Sequence, residues 1–322
     1  MSGPVRVGFA GAGHIANVHA GILADDARVR VAAIYDPDEQ HAAAFALKTG
    51  ATVTRSLEEL LGAVDALYIC SPNALHAATA LAALSAGLHV FSEKPMATSL
   101  EDAQAVLAAA ERSSGAYQVG FNRRFAGVYK ELKRLIATGD ISPTSALMKM
   151  NRGELQSPAW TGDAAASGGF LYETPIHILD MARFLFGEPA DVICRARATV
   201  YDQADDFSML LTFASGMSAV LAASAHTTWL FPFERVEVYG DHAIAATEEM
   251  ERITFGSGLA APAQTTDFAQ QPFALRWGYV EEDRRFIDAV CGAGEVAVCG
   301  ADALRTIELV DACYRSASLQ DA

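Results

Sequence analysis

Val5-Arg6-Val7-Gly8-Phe9-Ala10-Gly11-Ala12-Gly13-His14-Ile15-Ala16 is the stretch that decides the fold of this 322-residue chain. A β-rich hexapeptide runs without a break into G-x-G-x-x-A, and helical spacing begins at once beyond it. The first glycine permits the tight turn and the second lets main chain approach a pyrophosphate. Ala16 lets the helix pack on the strand, and the helix N-terminus then faces the phosphates. Such a motif alone is weak, because an ordinary strand-to-helix turn can carry the same letters. Here a second apolar run, 29–35, ends at Asp36, roughly the 20-residue separation at which a dinucleotide fold sets an acidic residue against a ribose. Gly11, Gly13, His14, Ile15 and Asp36 are therefore candidate cofactor-binding residues. A carboxylate at 36 accepts from ribose hydroxyls and repels a 2′-phosphate, and no basic residue follows it at once. NAD is the expected cofactor, ahead of NADP. Asp36-Pro37-Asp38 can also cap the next helix, and both roles are compatible.

Outward from that motif the chain alternates. Runs at 5–10, 29–35, 66–70, 89–92 and 117–120 read as buried parallel strands. Segments near 15–25, 39–48, 74–86 and 99–113 space Ala, Leu, Ile and Val as helices do. This alternation predicts an α/β, doubly wound Rossmann sheet with ligands at the carboxyl ends of its strands. After about residue 122 the pattern changes. Segments 144–152, 190–200, 206–226 and 235–246 read as longer strands, with Ala214-Ser215-Gly216-Met217 as a hairpin turn. One helix interrupts them, with Thr174 as N-cap, Pro175 as first residue, and Gly187 and Pro189 as its stop. The stretch 256–274 reads as a loop, and 277–291 and 301–317 as closing helices. The length alone favours two domains, expected at 1–122 and 123–322.

Composition narrows the partners. A formal net charge of −15 with no Lys/Arg cluster argues against nucleic acid, whereas neutral sugars meet no repulsion. The five cysteines (Cys70, Cys194, Cys291, Cys299, Cys313) are scattered without a C-x-x-C pair, as expected of free thiols in a cytoplasmic protein. The N-terminal residues show no basic, apolar export pattern. No apolar run is long enough to span a bilayer; the Ala-rich stretch 74–86 carries His76 and Ser85, so no membrane is expected. No H-E-x-x-H or Cys/His cluster calls for a metal. Tyr129 and Lys133 match Y-x-x-x-K of short-chain dehydrogenases, but the glycine loop is of another type, and the segment reads as a charged surface helix.

Ser71-Pro72-Asn73 follows one strand and Glu93-Lys94-Pro95 ends the next, so both turns lie on the ligand-binding edge of the sheet. An ammonium at Lys94 can hydrogen-bond a substrate oxygen while a hydride moves; the ordinary alternative is a surface lysine paired with Glu93. The dinucleotide motif, Ser71-Pro72-Asn73, Glu93-Lys94-Pro95, Gly120-Phe121-Asn122-Arg123-Arg124-Phe125, Gly168-Gly169 and Glu173-Thr174-Pro175-Ile176-His177-Ile178-Leu179-Asp180 occur in this order. Together they resemble the glucose-fructose oxidoreductase, inositol dehydrogenase and rhizopine catabolism (Gfo/Idh/MocA) family over nearly the whole chain. The run from Asp180 to Leu185 is especially similar to inositol dehydrogenases.

The resemblance implies an NAD-dependent dehydrogenase of a sugar or polyol, inositol-like. It also implies that 123–322 is an α/β domain on a large, mostly antiparallel open sheet, and that the chain forms a homodimer or homotetramer. It makes Lys94 the catalytic lysine, His177 the second acid/base and position 173 their acidic partner. The family pattern has Asp there, and this chain has Glu173, one methylene longer. The family also often has Arg where Thr161 follows Trp160. Ser71, Pro72, Asn73, His76, Glu93, Lys94 and Asn122 join the cofactor-binding candidates, and Asn151 joins Lys94, Glu173 and His177 as substrate-binding. If Thr174 caps its helix, Glu173 and His177 share the positive end, a field that favours a carboxylate and a neutral imidazole. A satisfied core histidine is the plain alternative, and Asp180 reads as a structural partner. Three functions stay open: a dehydrogenase exchanging NAD with solution, a redox-neutral glycosidase or epimerase that retains NAD, and a non-catalytic NAD sensor, which would be expected to have lost Lys94 or His177.

Overall fold

Strands β1 (Val5–Ala10), β2 (Val29–Tyr35), β3 (Thr52–Val53), β4 (Ala66–Ile69), β5 (His89–Glu93) and β6 (Tyr117–Gly120) form one sheet in the order β3-β2-β1-β4-β5-β6. Every pairing in it is parallel. This is the doubly wound order of a Rossmann fold, whose strand sequence reverses between β1 and β4. Helices cover both faces of such a sheet, so its strands read as continuous apolar runs; β4 is buried throughout. The computed structural model describes residues 3–152, 155 and 158–318. The chain divides into two units, Met1–Phe121 with Tyr279–Ile307, and Asn122–Gly278 with Glu308–Ala322.

The first unit is thus not the simple 1–122 segment expected. Helix Tyr279–Val290 turns Phe286, Ile287 and Val290 into the core made by Val5, Val7, Phe9 and Tyr68. Phe9, Tyr68 and Phe91 stack face to face at 5.2 and 4.6 Å, and Phe286 meets the last two edge-on. The apolar face of that helix belongs to this core, which is why 279–307 leaves the continuous 123–322 stretch.

In the second unit, β7 (Ser145–Asn151), β8 (Pro189–Arg197), β9 (Asp206–Phe213), β10 (Ser218–Ser224), β11 (Glu234–Gly240), β12 (Ala243–Glu248), β13 (Arg252–Ser257) and β14 (Gln264–Asp267) make an eight-stranded sheet. Its order is β14-β13-β12-β11-β7-β10-β9-β8. It is antiparallel except where β7 meets β10. Burial alternates along β7 and β9, the period of a sheet with one covered face. Helices Gly127–Ala137 and Ile176–Phe186 pack against this sheet.

The 206–226 segment does turn at Gly216, whose φ is +86°. The 235–246 segment is two strands rather than one, broken at Asp241-His242, where His242 adopts φ +48°. The expected loop 256–274 contains the edge strand β14, fully exposed and therefore without an apolar alternation. The Tyr129–Lys133 helix is less of a surface element than expected. Tyr129 is buried and donates to Glu234 Oε1 at 2.6 Å, and Lys133 Nζ caps the main-chain carbonyl of Phe184.

Candidate active site

The glycine loop is built for close approach. Gly11 has φ +99°, and a Cβ on it would lie 2.6 Å from the Cys70 carbonyl oxygen, so no other residue fits the turn. Gly13 caps helix His14–Leu23 without any side-chain hydrogen bond, and a Cβ there would meet open space. The first-turn N–H groups, flanked by His14 and Ile15, are thus free of a capping side chain and reachable by an anion. Asp36, at the end of β2, accepts from Ala12 N and from Asp38 N, each at 2.8 Å. The helix cap is instead Asp38, which accepts from Gln40 N and His41 N. Asp36 therefore ties the second strand to the glycine loop and keeps lone pairs for a ribose.

Three strands deliver their turns to one edge in register. Ala10 pairs Ile69, and Ile69 pairs Ser92, so Gly11, Cys70 and Glu93 leave the sheet side by side. Ser71 Oγ is shielded from water and has no hydrogen-bond partner among the described residues, so it could engage a ligand. Pro72 leads into the 3₁₀ turn Asn73–Leu75, and Asn73 is buried. His76 is buried with Nδ1 2.7 Å from the Pro95 carbonyl and Nε2 2.8 Å from the Ser71 carbonyl. Burial lowers the His76 pKa and favours a neutral ring, which donates from one nitrogen only, so His76 hydrogen-bonds one of these two carbonyls and lies against the other. Lys94 is half-buried, and its main-chain N–H donates to Glu93 Oε2 at 3.1 Å. Glu93 Oε1 lies 3.1 Å from Nε2 of His19, whose Nδ1 meets Asp283 at 2.8 Å.

In the second unit Thr174 is not the helix cap. Helix Ile176–Phe186 has Pro175 at its N-cap position and no capping side chain; Thr174 instead closes the short helix Phe170–Glu173 and donates its hydroxyl to Glu173 Oε2. Glu173 and His177 are both buried, one at the end of the short helix and the other in the first turn of the next. Asp180, one turn beyond His177, takes Arg124 in a two-pronged pair at 2.8 and 2.6 Å, which fastens this helix to the Asn122–Phe125 turn. Asn122 donates Nδ2 to the Trp277 carbonyl at 2.9 Å and accepts from Arg123, leaving one amide hydrogen and one lone pair. Asn151 ends β7 with Oδ1 buried and without a partner among the described residues, an acceptor suited to a hydroxyl.

A profile of the GFO_IDH_MocA oxidoreductase family, NAD-binding Rossmann fold, matches residues 5–121, and its C-terminal-domain counterpart matches 129–246. The inositol 2-dehydrogenase of Rhizobium meliloti (strain 1021) is 31% identical over 327 residues, spanning 97% of this chain and 96% of its own. The chain belongs to the Gfo/Idh/MocA family. Among solved structures it is similar to GenD2 from gentamicin A biosynthesis in complex with NAD, with a TM-score of 0.86 and 26% identity over 99% of this chain and 95% of that one. Levoglucosan dehydrogenase, solved with NADH and levoglucosan, superposes with a TM-score of 0.90 over 98% and 97% of the two chains; its 21% identity speaks to the fold.

As a Gfo/Idh/MocA protein the chain is an NAD-dependent oxidoreductase, and the uncapped helix behind Gly13, the Asp36 carboxylate and the unpartnered Ser71 hydroxyl fit that cofactor. The sequence reading passed over His19 and Asp283. The signal for His19 was a histidine spaced with Ala16, Ala20 and Leu23 on the buried face of the first helix.

Proposed function

We propose that this oxidoreductase transfers a hydride between NAD and a hydroxyl-bearing carbon of a sugar or polyol, inositol-like, with Lys94 and His177 as its acid/base groups. The observation that carries the reading is the row of strand ends: Lys94 follows Glu93 on the same sheet edge that presents Gly11, Gly13 and Ser71. NAD, when bound, supplies the hydride acceptor. Lys94 donates a hydrogen bond to the substrate oxygen and steadies the charge that gathers there as the C–H bond breaks. His177 accepts the hydroxyl proton and releases it to water, so a secondary alcohol becomes a ketone with loss of one hydride and one proton. Glu173, held by Thr174, binds a substrate hydroxyl or orients His177, and Asn151 accepts from another hydroxyl.

The chain works as a homodimer or homotetramer in this reading. Ile193, Leu210, Val220 and Leu147 lie in register across β8, β9, β10 and β7, and three of them are 47–48% exposed on the open face of the sheet. A contiguous apolar row of this kind is normally covered. The cytoplasm is the proposed compartment, since all five cysteines are free thiols. No helix among the described residues is long and apolar enough to cross a membrane.

Lys94→Met tests the reading with a panel of cyclitols and sugars and calorimetric titration of NAD. The expected outcome is a loss of about 10²–10⁴-fold in turnover with NAD affinity within a few fold. Near-normal rates remove Lys94 from the reaction. Accumulation of free NADH by the wild type separates a dehydrogenase from an enzyme that keeps and recycles its cofactor.

A further inference from the structure

Below the Glu93–Lys94 turn runs a closed polar chain in an otherwise aromatic core. The His19 side chain is fully buried. Its Nδ1 lies 2.8 and 3.0 Å from the two Asp283 oxygens, and its Nε2 lies 3.1 Å from Glu93 Oε1. The Tyr68 hydroxyl donates to Asp283 Oδ1 at 3.2 Å. Glu93 Oε2 accepts from the Lys94 main-chain N–H. The rings of Phe91, Tyr68 and Tyr279 enclose the imidazole at 5.0, 5.3 and 5.6 Å. All these groups belong to the first unit.

A carboxylate at each nitrogen requires two N–H donors, so the ring is an imidazolium; a neutral ring would turn a lone pair against one carboxylate. Burial opposes that charge, but Asp283 and Glu93 overcome it and push the His19 pKa up to about 10. Burial likewise works against the Glu93 carboxylate, and His19 and then Lys94 reverse it, holding Glu93 below the usual carboxylate range. Burial raises the Asp283 carboxyl, against His19 and Tyr68. The other titratable groups facing the cluster are Cys70, Glu282 and His76; burial raises the Cys70 thiol and the Tyr68 hydroxyl, keeping both neutral. Three buried charges are an expensive way to fill a core, and apolar residues of similar volume pack as well or better. The chain ends on the Lys94 main-chain N–H, one bond from the Cα that carries the Lys94 side chain.

We infer that His19 and Asp283 are positioning residues for Lys94: they hold Glu93 as a carboxylate, and Glu93 anchors the Lys94 backbone. This rests on the reading of Lys94 as the group that contacts the substrate oxygen. Without the imidazolium the buried Glu93 takes up a proton, its pull on the Lys94 N–H weakens, and the lysine shifts. A displacement of about 1 Å at a reacting group can lower the rate about 10²-fold.

His19→Gln, Glu93→Gln, the double variant and Lys94→Met, each measured for NAD affinity, kcat across pH and melting temperature, test this. His19→Gln should bind NAD within about threefold of wild type and lose about 10² in kcat at neutral pH. Its rate should climb with pH through a new acid limb, as Glu93 ionises at a higher pH than in wild type. Glu93→Gln should be equally slow without that limb, and the double variant no slower than Glu93→Gln alone. Wild-type kcat and pH profile in His19→Gln, with only the melting temperature lowered, would overturn the inference, as would additive losses in the double variant. If His19→Gln does not fold, Asp283→Asn carries the same test, because it weakens the imidazolium without touching Glu93. Near-normal turnover in Lys94→Met refutes the lysine reading itself. An inactive Lys94→Met beside a wild-type profile in His19→Gln refutes the positioning alone.

Discussion

Exchanging Asp36 and Pro37 together, as Asp36→Ser with Pro37→Arg, separates what the carboxylate does for the cofactor from what it does for the loop. Its bond to Ala12 N is part-buried and its bond to Asp38 N is exposed. A charge-assisted hydrogen bond is worth roughly 1.5–3 kcal/mol, and exposure removes most of that for the second one. The loop should therefore lose about 2 kcal/mol, a deficit of roughly 30-fold in affinity shared by both cofactors. A 2′-phosphate carries nearly two charges. At contact distance in a water-like medium it meets about 1.5 kcal/mol of repulsion from Asp36, and a similar attraction would come from Arg at 37. These add to about 3 kcal/mol, so NADP should gain only about fivefold in kcat/KM once the loop deficit is subtracted, while NAD falls 30-fold or more. The NADP-to-NAD ratio should shift by 10²-fold or more, with a lowered melting temperature. Steady-state kcat/KM with each cofactor at fixed polyol concentration, alongside thermal melts, provides the measurement. A wild type that turns over NADP as well as NAD, or a ratio that the double exchange does not move, would refute the reasoning.

Glu173→Gln should lower kcat/KM by more than a surface substitution, given the roughly 1.5–3 kcal/mol of a charge-assisted bond, and Glu173→Asp should also impair the true substrate. Unchanged kinetics with a lowered melting temperature would reduce Glu173 to a structural partner of Thr174. Gly11→Ala should destabilise the first unit by about 2–4 kcal/mol, from the φ of +99° and the approach to the Cys70 carbonyl, and should weaken NAD binding; a wild-type melt would contradict this geometry. The stability that His19 contributes should be complete below its ordinary pKa of about 6.5 and should decline as pH rises toward about 10, where the folded protein releases the proton. Urea midpoints between pH 6 and 10 should fall more steeply in wild type than in His19→Gln.

The Rossmann half was legible because its physics is local: a strand buried on both faces is an uninterrupted apolar run, and Gly11 marks a turn that admits no Cβ. What escaped there was small. β3 has two residues, and helix Leu57–Ala63 is announced mainly by Ser56, whose hydroxyl accepts from Glu59 N while Glu59 reaches back to Arg55 N. In the second unit, alternation revealed the central strands but not β14, an edge strand with nothing to bury. Thr174 before Pro175 has the letters of a helix cap, yet its hydroxyl is drawn to the neighbouring Glu173 carboxylate. His76 and Asn122 stood out in the sequence, but not the main-chain carbonyls that lie beside them. His19 and Asp283 are 264 residues apart, and no local pattern tells a helix face which distant carboxylate it will meet.

The return of 279–307 to the first unit has a consequence for how the chain is made. Phe286, Ile287 and Val290 complete a core whose strands emerge from the ribosome long before them, and the whole of 122–278 is synthesised in between. At about 5–20 residues per second the nucleotide-binding sheet waits roughly ten to forty seconds with one helix missing and its aromatic stack uncovered. Nascent chains arrested after residue 121 should accordingly be cut readily by protease, whereas chains released beyond 307 should resist; the two units mature together, and the earlier one is not finished first.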